Sequence, residues 1–157
     1  MTQFSNTAAN TQPWRLILTN APLNWQSHEQ IRSFKLPNGE SISCVLWEGR
    51  LHISGTDIVK VAAMRFAEFG RPVANQKKFE EGIFSDLRNL KAGVHSTLEE
   101  PRSAFLELLH SNNCIRTQKK QKVFHWFSVP HDRLFMVRSC LYNQIESNCT
   151  RMPSKET

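Results

Sequence analysis

The strongest constraint on how this chain folds is a change of hydrophobic period at residue 54. Upstream, FKLPNGESISCVLW reads as strand, turn, strand: Ile42, Cys44 and Leu46 alternate with Ser41, Ser43 and Val45, and Pro37-Asn38-Gly39 supplies the turn. A second turn at Glu48-Gly49 leads into Arg50-Leu51-His52-Ile53, the next expected strand. Ser54-Gly55-Thr56-Asp57 then has the form of a helix-capping box. Ile58, Ala62, Phe66 and Phe69 follow at helical spacing, and Gly70 with Pro72 supplies the stop. A period of two giving way to about 3.6 puts strands and helix in one small unit, an α+β fold.

Further helices follow the same reasoning. Phe79, Ile83, Leu87 and Leu90 mark an amphipathic helix from Lys77 to about Leu90. Gly82 inside it costs about 1 kcal/mol relative to Ala, which points to close packing or a local bend. A third helix is expected to begin near Pro101, with Glu99 and Glu100 at its positive end, Phe105, Leu108 and Leu109 facing the core, and Asn112-Asn113 ending it. Between Trp14 and Phe34 the pattern is mixed, with a break at Pro22 and a short helix expected around Ser27 to Arg32. After Pro130, Leu134, Val137, Leu141 and Ile145 predict a last helix. Residues 1–13, rich in Ser, Thr, Asn and Gln, read as a disordered segment, 14–146 as one domain, and 147–157 as a tail. Ten Phe and four Trp among 157 residues supply a core for that domain.

CIRTQKKQKVFHWF places Arg116, Lys119, Lys120 and Lys122 between two apolar runs, and no Asp or Glu occurs from Leu108 to His131. The stretch is expected to form a β-hairpin with Gln118 to Gln121 near its tip. A solvated tip, or lysines guarding an edge strand, needs charge but not charge of one sign. One-sided charge favours contact with phosphates. Phe124 and Trp126 read as core anchors in preference to base-stacking aromatics. The helix KKFEEGIFSDLRNLK offers Lys77, Lys78, Arg88 and Lys91, against the competing reading of a charged surface helix that also carries Glu80, Glu81 and Asp86. The formal net charge of +6 agrees with an acidic partner, either nucleic acid or an anionic membrane surface. The candidate DNA-binding set is Lys77, Lys78, Arg88, Lys91, Arg116, Lys119, Lys120 and Lys122. Three helices followed by a basic ribbon is the logic of a winged helix, in which a helix enters a groove and a ribbon touches the adjoining backbone.

Other chemistries find little footing. The chain has no G-x-S-x-G, P-loop, H-E-x-x-H or G-x-G-x-x-G motif, so no catalytic role and no cofactor is assigned. None of Cys44, Cys114, Cys140 and Cys149 forms a C-x-x-C pair, and Cys44 and Cys114 read as buried thiols of a reducing compartment. Cys114, His125, His131 and Cys140 match no zinc spacing, so no metal is assigned. Without a signal segment or an apolar run near about twenty residues, the chain reads as soluble and intracellular.

Four segments carry a family resemblance: APLNWQSHEQIRSFKLPNGE, ISCVLWEGRLHISGTDIVKV, FGRPVANQKKFEEGIFSDLRNLKAG and CIRTQKKQKVFHWFSVPHDRLF. Together, across roughly residues 14 to 135, they closely resemble the DNA-binding domain of the fungal STE-like (sterile-twelve type) transcription factors. The resemblance implies a nuclear, sequence-specific factor that binds double-stranded promoter DNA of mating, pheromone-response, filamentation or infection genes, downstream of a MAP kinase cascade. It implies as partners a second copy, or homeodomain, MADS-box or TEA-domain factors. The family has been described as homeodomain-like, so a homeodomain-like helical bundle is the alternative to a winged-helix-like domain with β-hairpins and three to four helices. SISCVLWEGRLHISGTDIVKVAAMRF is also faintly similar to the Ski/Dachshund type of mixed α/β DNA-binding module. MVRSCLYNQIESNCTRMPSKET, after Phe135, departs from the charged helix of the family, whose members are much longer. That departure motivates a second reading: a truncated competitor or protein-interaction adaptor without its own activation function.

Overall fold

The computed structural model describes residues 13–139, apart from 38 and 72. Helix α1 (Pro13–Asn20) precedes an antiparallel meander of β1 (Ile31–Lys35), β2 (Ser41–Trp47) and β3 (Arg50–Ser54). Helices α2 (Gly55–Glu68) and α3 (Gln76–Leu87) follow, then β4 (Ser96–Glu99), α4 (Ala104–Ser111) and β5 (Gln121–His125). A 3-10 turn at Trp126–Ser128 hands the chain to α5, a helical run over 131–139. The strands form one sheet in the order β1-β2-β3-β5-β4, with every pairing antiparallel. The fold is thus the expected small α+β domain, and its sheet with five helices is compatible with a winged-helix-like architecture. The alternative, a homeodomain-like bundle, is corrected: a helical bundle has no place for a five-stranded sheet.

Local chemistry accounts for the element ends. In the turn between β2 and β3, Glu48 (φ 50) and Gly49 (φ 79) both take positive φ, the two-residue geometry that matches strand twist. The Ser54 hydroxyl caps α2 by accepting from the Asp57 amide at 3.1 Å. Only half of the expected capping box forms, because the Asp57 carboxylate accepts from the Ser43 amide at 2.9 Å instead, joining α2 to β2. Gly70, at φ 78, closes the helix: its amide donates to Ala67 O and the Arg71 amide to Phe66 O, the two bonds of a Schellman motif.

Both faces of the sheet are buried, which is why neighbouring strand residues are both apolar. Cys44, Ile53 and Phe124 point to one face and pack with Ile58 and Ala62 of α2 and Ile83 and Leu87 of α3. Val45 and Val123 point to the other, beneath Phe105, Leu106 and Leu109 of α4. There the Phe105 ring stacks on Trp47, centroids 4.8 Å apart and nearly parallel, and meets His52 edge-on. A third cluster of Trp14, Leu36, Ile42, Val61 and Met64 seats α1 against α2 and β2.

Three expectations are corrected. No helix spans Ser27 to Arg32; residues 31–35 are β1, and the loop before it is organised by a side chain. The Arg32 guanidinium donates to Ala21 O at 3.1 Å, Leu23 O at 2.5 Å and Asn24 O at 2.8 Å, and pairs with Glu29 at 2.9 Å. The third helix starts at Ala104, three residues later than expected near Pro101, because Ser103 caps it by accepting from the Leu106 amide at 3.2 Å. Glu99 lies instead on the unforeseen strand β4, where it accepts from the Ser103 hydroxyl at 2.7 Å. Nor is the basic stretch a hairpin. Residues 114–120 are a loop, and β5 inserts between β3 and β4, since Val123 and Phe124 need cover on both faces. Leu134 is buried as expected of the last helix, whereas Leu141, Ile145, Cys140, Cys149 and the segments 1–12 and 147–157 lie outside the described residues. Among the described residues no helix is long and apolar enough to cross a membrane.

Candidate nucleic-acid interface

Helix α3 buries one side, Ile83 and Leu87, and presents Lys77, Glu81, Ser85 and Arg88 to solvent at helical spacing on the other. Lys78 is exposed beside Lys77. Lys77 and Arg88 stand about 17 Å apart along the axis at about 1.5 Å per residue. Among the described residues no ion pair engages Lys77, Lys78, Arg88, Lys91, Arg116 or Lys119. Of the acids of α3, Asp86 is engaged, paired with Arg138 of α5 at 3.4 Å. That guanidinium occupies the place a Cβ of residue 82 would take, so Gly82 answers to close packing, as its position inside a helix suggested.

β5 is tied to the end of this helix. The Lys122 ammonium donates to Leu90 O at 2.8 Å, just past the α3 C-terminus. Arg88 and Lys122 thereby come to line one open cavity of ≈ 240 Å³, together with Phe84, Gln121, Gly55 and Thr56. Gly55 and Thr56 form the first turn of α2, whose amides and dipole favour negative charge. Gly55 is also the tight point between elements, since a Cβ there would stand 2.8 Å from Phe84 Cε1. Lys91 is exposed one residue beyond Leu90.

The remaining candidates fall elsewhere. Lys119 and Lys120 line a second, wider cavity of ≈ 640 Å³ with Arg102 and His110. Lys120 pairs with Glu100 at 3.7 Å, both side chains well exposed, an arrangement that contributes little to stability. Lys77 and Lys78 line neither cavity, and neither does Arg116, which is exposed after the buried Cys114 and Ile115. The structure therefore joins Arg88 with Lys122 and Lys119 with Lys120, and leaves the other four outside both groups. Arg102, Gly55 and Thr56 escaped sequence reasoning. Arg102 holds φ 60 in the turn before α4 and its amide donates to Gln118 O at 3.0 Å, a fold-dependent placement with no local signature.

The interior beside this surface holds several perturbed groups. Burial raises the Asp57 carboxyl to about 6, against the Ser43 hydrogen bond and the Lys60 charge. Burial, and then the neighbouring His125, lowers His52 to about 4. Burial pushes the Cys44 thiol up to about 12, leaving it protonated. Phe124 and Trp126 are buried, as core anchors should be, and Phe127 is the exposed aromatic of the stretch at 78%. Among the described residues no group of His, Cys, Asp and Glu is placed to hold a metal ion.

Residues 15–147 match the family of STE-like transcription factors. That match runs beyond Phe135, so the first part of the segment taken as divergent lies within the family. Among curated proteins, transcription factor MST12 of Pyricularia oryzae is 65% identical over 122 residues, covering 78% of this chain and 17% of that protein. Protein STE12 of Saccharomyces cerevisiae is 56% identical over 122 residues, 77% of this chain and 18% of its own. Transcription factor CPH1 of Candida albicans is 55% identical over 121 residues, 76% of this chain and 18% of its own. The chain thus spans less than a fifth of the length of these relatives. No solved structure matches it.

Proposed function

This chain belongs to the STE-like transcription factor family, and from that premise we propose that it binds double-stranded promoter DNA in a sequence-specific manner. The observation that carries the proposal is the meeting of Arg88 and Lys122 at the positive end of α2. In this reading the exposed stripe of α3 enters the major groove. Arg88 and Lys77 read base edges or grip phosphates, and Glu81, which would repel a phosphate, accepts from a cytosine amino group. Lys78, Lys91, Lys122, Arg116, Lys119 and Lys120 neutralise flanking phosphates and set affinity without reading sequence. The targets are promoters of mating, pheromone-response, filamentation or infection genes, bound in the nucleus downstream of a MAP kinase pathway. A second copy, or homeodomain, MADS-box or TEA-domain factors, binds alongside.

The test is a mobility-shift series in rising salt on a pheromone-response-type duplex, a scrambled duplex and a single strand. Each phosphate contact steepens the log–log slope by about 0.9. Lys119→Ala with Lys120→Ala lowers affinity for every duplex alike. Arg88→Ala costs about 1–3 kcal/mol on the cognate duplex and relaxes discrimination. Equal affinity for scrambled DNA by the unmodified chain would sink the sequence-specific reading.

A further inference from the structure

Away from the cationic cavity, α1, α2 and the start of α5 enclose a second feature, an open groove of ≈ 830 Å³. Arg65 marks its place on α2, about 15 Å along the helix from Gly55 at about 1.5 Å per residue. Its floor is apolar, formed by Leu18, Val129, Pro130 and Met136, the last 59% exposed. Its lining holds three arginines, the exposed Arg15 and Arg133 and the largely buried Arg65, against a single acid, Asp132. Arg65 is held between two aromatic rings, its guanidinium carbon 3.9 Å from the Trp14 centroid and 4.3 Å from that of Phe135. Its ion pair is with Asp132 Oδ1 at 2.8 Å, and the Asp132 side chain is 84% exposed. Nε of Arg65 and Nε2 of His131 are buried without a hydrogen-bond partner among the described residues. No ion pair among those residues engages Arg15 or Arg133.

We propose that this groove docks an acidic peptide segment of a partner protein through one apolar anchor side chain. The anchor rests on the floor between Leu18 and Met136, and flanking carboxylates meet Arg15 and Arg133. Charge complementarity selects this occupant: three guanidinia against one carboxylate leave positive charge to be matched. Asp132 already displays the matching chemistry, a carboxylate seated on Arg65. Duplex DNA offers phosphates but nothing to cover the apolar floor, and a basic peptide would set like charges face to face. The inference is independent of the DNA-binding surface, which lies towards the other end of α2.

Fluorescence anisotropy with the full chain tests it, using a labelled synthetic peptide in which Asp and Glu surround a Phe-Leu pair. Binding is expected, and exchanging the acids for Asn and Gln, or Phe-Leu for Ser-Ser, weakens it by about tenfold or more. Arg15→Glu with Arg133→Glu, both at exposed positions, weakens it likewise while leaving the circular-dichroism melt and the duplex mobility shift unchanged. Equal binding of the Asn/Gln peptide overturns the proposal. So does loss of duplex binding in the double variant with peptide binding intact, which assigns the groove to nucleic acid. Peptide binding that appears only after residues 140–157 are removed makes the chain's own end the occupant, and overturns it too.

Discussion

Acidification should separate the unmodified chain from an Asp57→Asn variant by a calculable slope. Asp57 is 3% exposed, and burial raises its carboxyl from 3.8 to about 6, although the Ser43 amide and Lys60 oppose the shift. Between those pH values the folded state binds a proton that the unfolded chain does not. The stability contributed by that proton is fully present below pH 3.8 and is lost as the pH rises through about 6. A shift of about two units is worth about 3 kcal/mol at about 1.36 kcal/mol per unit. His52 acts in the opposite sense. Lowered from 6.5 to about 4 by burial and then by His125, it removes stability as the pH falls from 6.5 towards 4. His131, lowered to about 4 by burial and then by Arg65, does the same. Asp57 therefore offsets part of the acid loss, and the amide variant, which keeps an oxygen for the Ser43 bond, cannot. Between pH 6 and pH 4 the variant should lose about 1.4 kcal/mol more per pH unit than the parent. Urea unfolding at constant ionic strength, followed by fluorescence of the buried Trp14 and Trp126, measures both slopes. Parallel slopes, or a steeper one for the parent, would refute burial of the Asp57 carboxyl as the cause.

Phe105→Ala removes a fully buried ring stacked on Trp47 and should cost about 3–5 kcal/mol in chemical denaturation. Ser103→Ala deletes the α4 cap and should cost about 1 kcal/mol by the same measurement. Gly82→Ala gains about 1 kcal/mol of helix propensity but displaces the Arg138 guanidinium from Asp86, so it should be near neutral; made in an Arg138→Ala background, it should stabilise by about that full amount. No Ser or Thr among the 157 residues is followed by Pro, so a proline-directed MAP kinase should incorporate no phosphate into this chain, as radiolabelling would read.

Features encoded by neighbours were legible. Glu48-Gly49, the Ser54 cap and the Gly70 stop each act within a few residues, and β2, β3 and α2 form where period and turn chemistry put them. Features settled at a distance were not. Four-residue β4 has no pattern of its own; Glu99 followed by Glu100 and Pro101 imitates a helix start, and pairing with β5 decides otherwise. Arg32 was read into a helix because its partners are backbone carbonyls of an earlier loop. At the candidate site the residue types and the one-signed charge were readable from composition. The meeting of Arg88 with Lys122 was not, because it depends on β5 lying beside the end of α3.

The place of β5 between β3 and β4 also dictates an order of events during synthesis. The meander and α2 use short-range contacts and are complete in sequence well before Gln121 leaves the ribosome. β4 emerges earlier than β5 yet has no strand to join until β5 arrives, since β3 and β4 never pair with each other. β5, the last strand among the described residues, thus bolts β4 to the meander and, through Lys122, brings the cationic surface into being with it. A ribosome stalled before that strand would hold a nascent chain with a folded first half and an orphan β4, a substrate for chaperones with its charges still scattered.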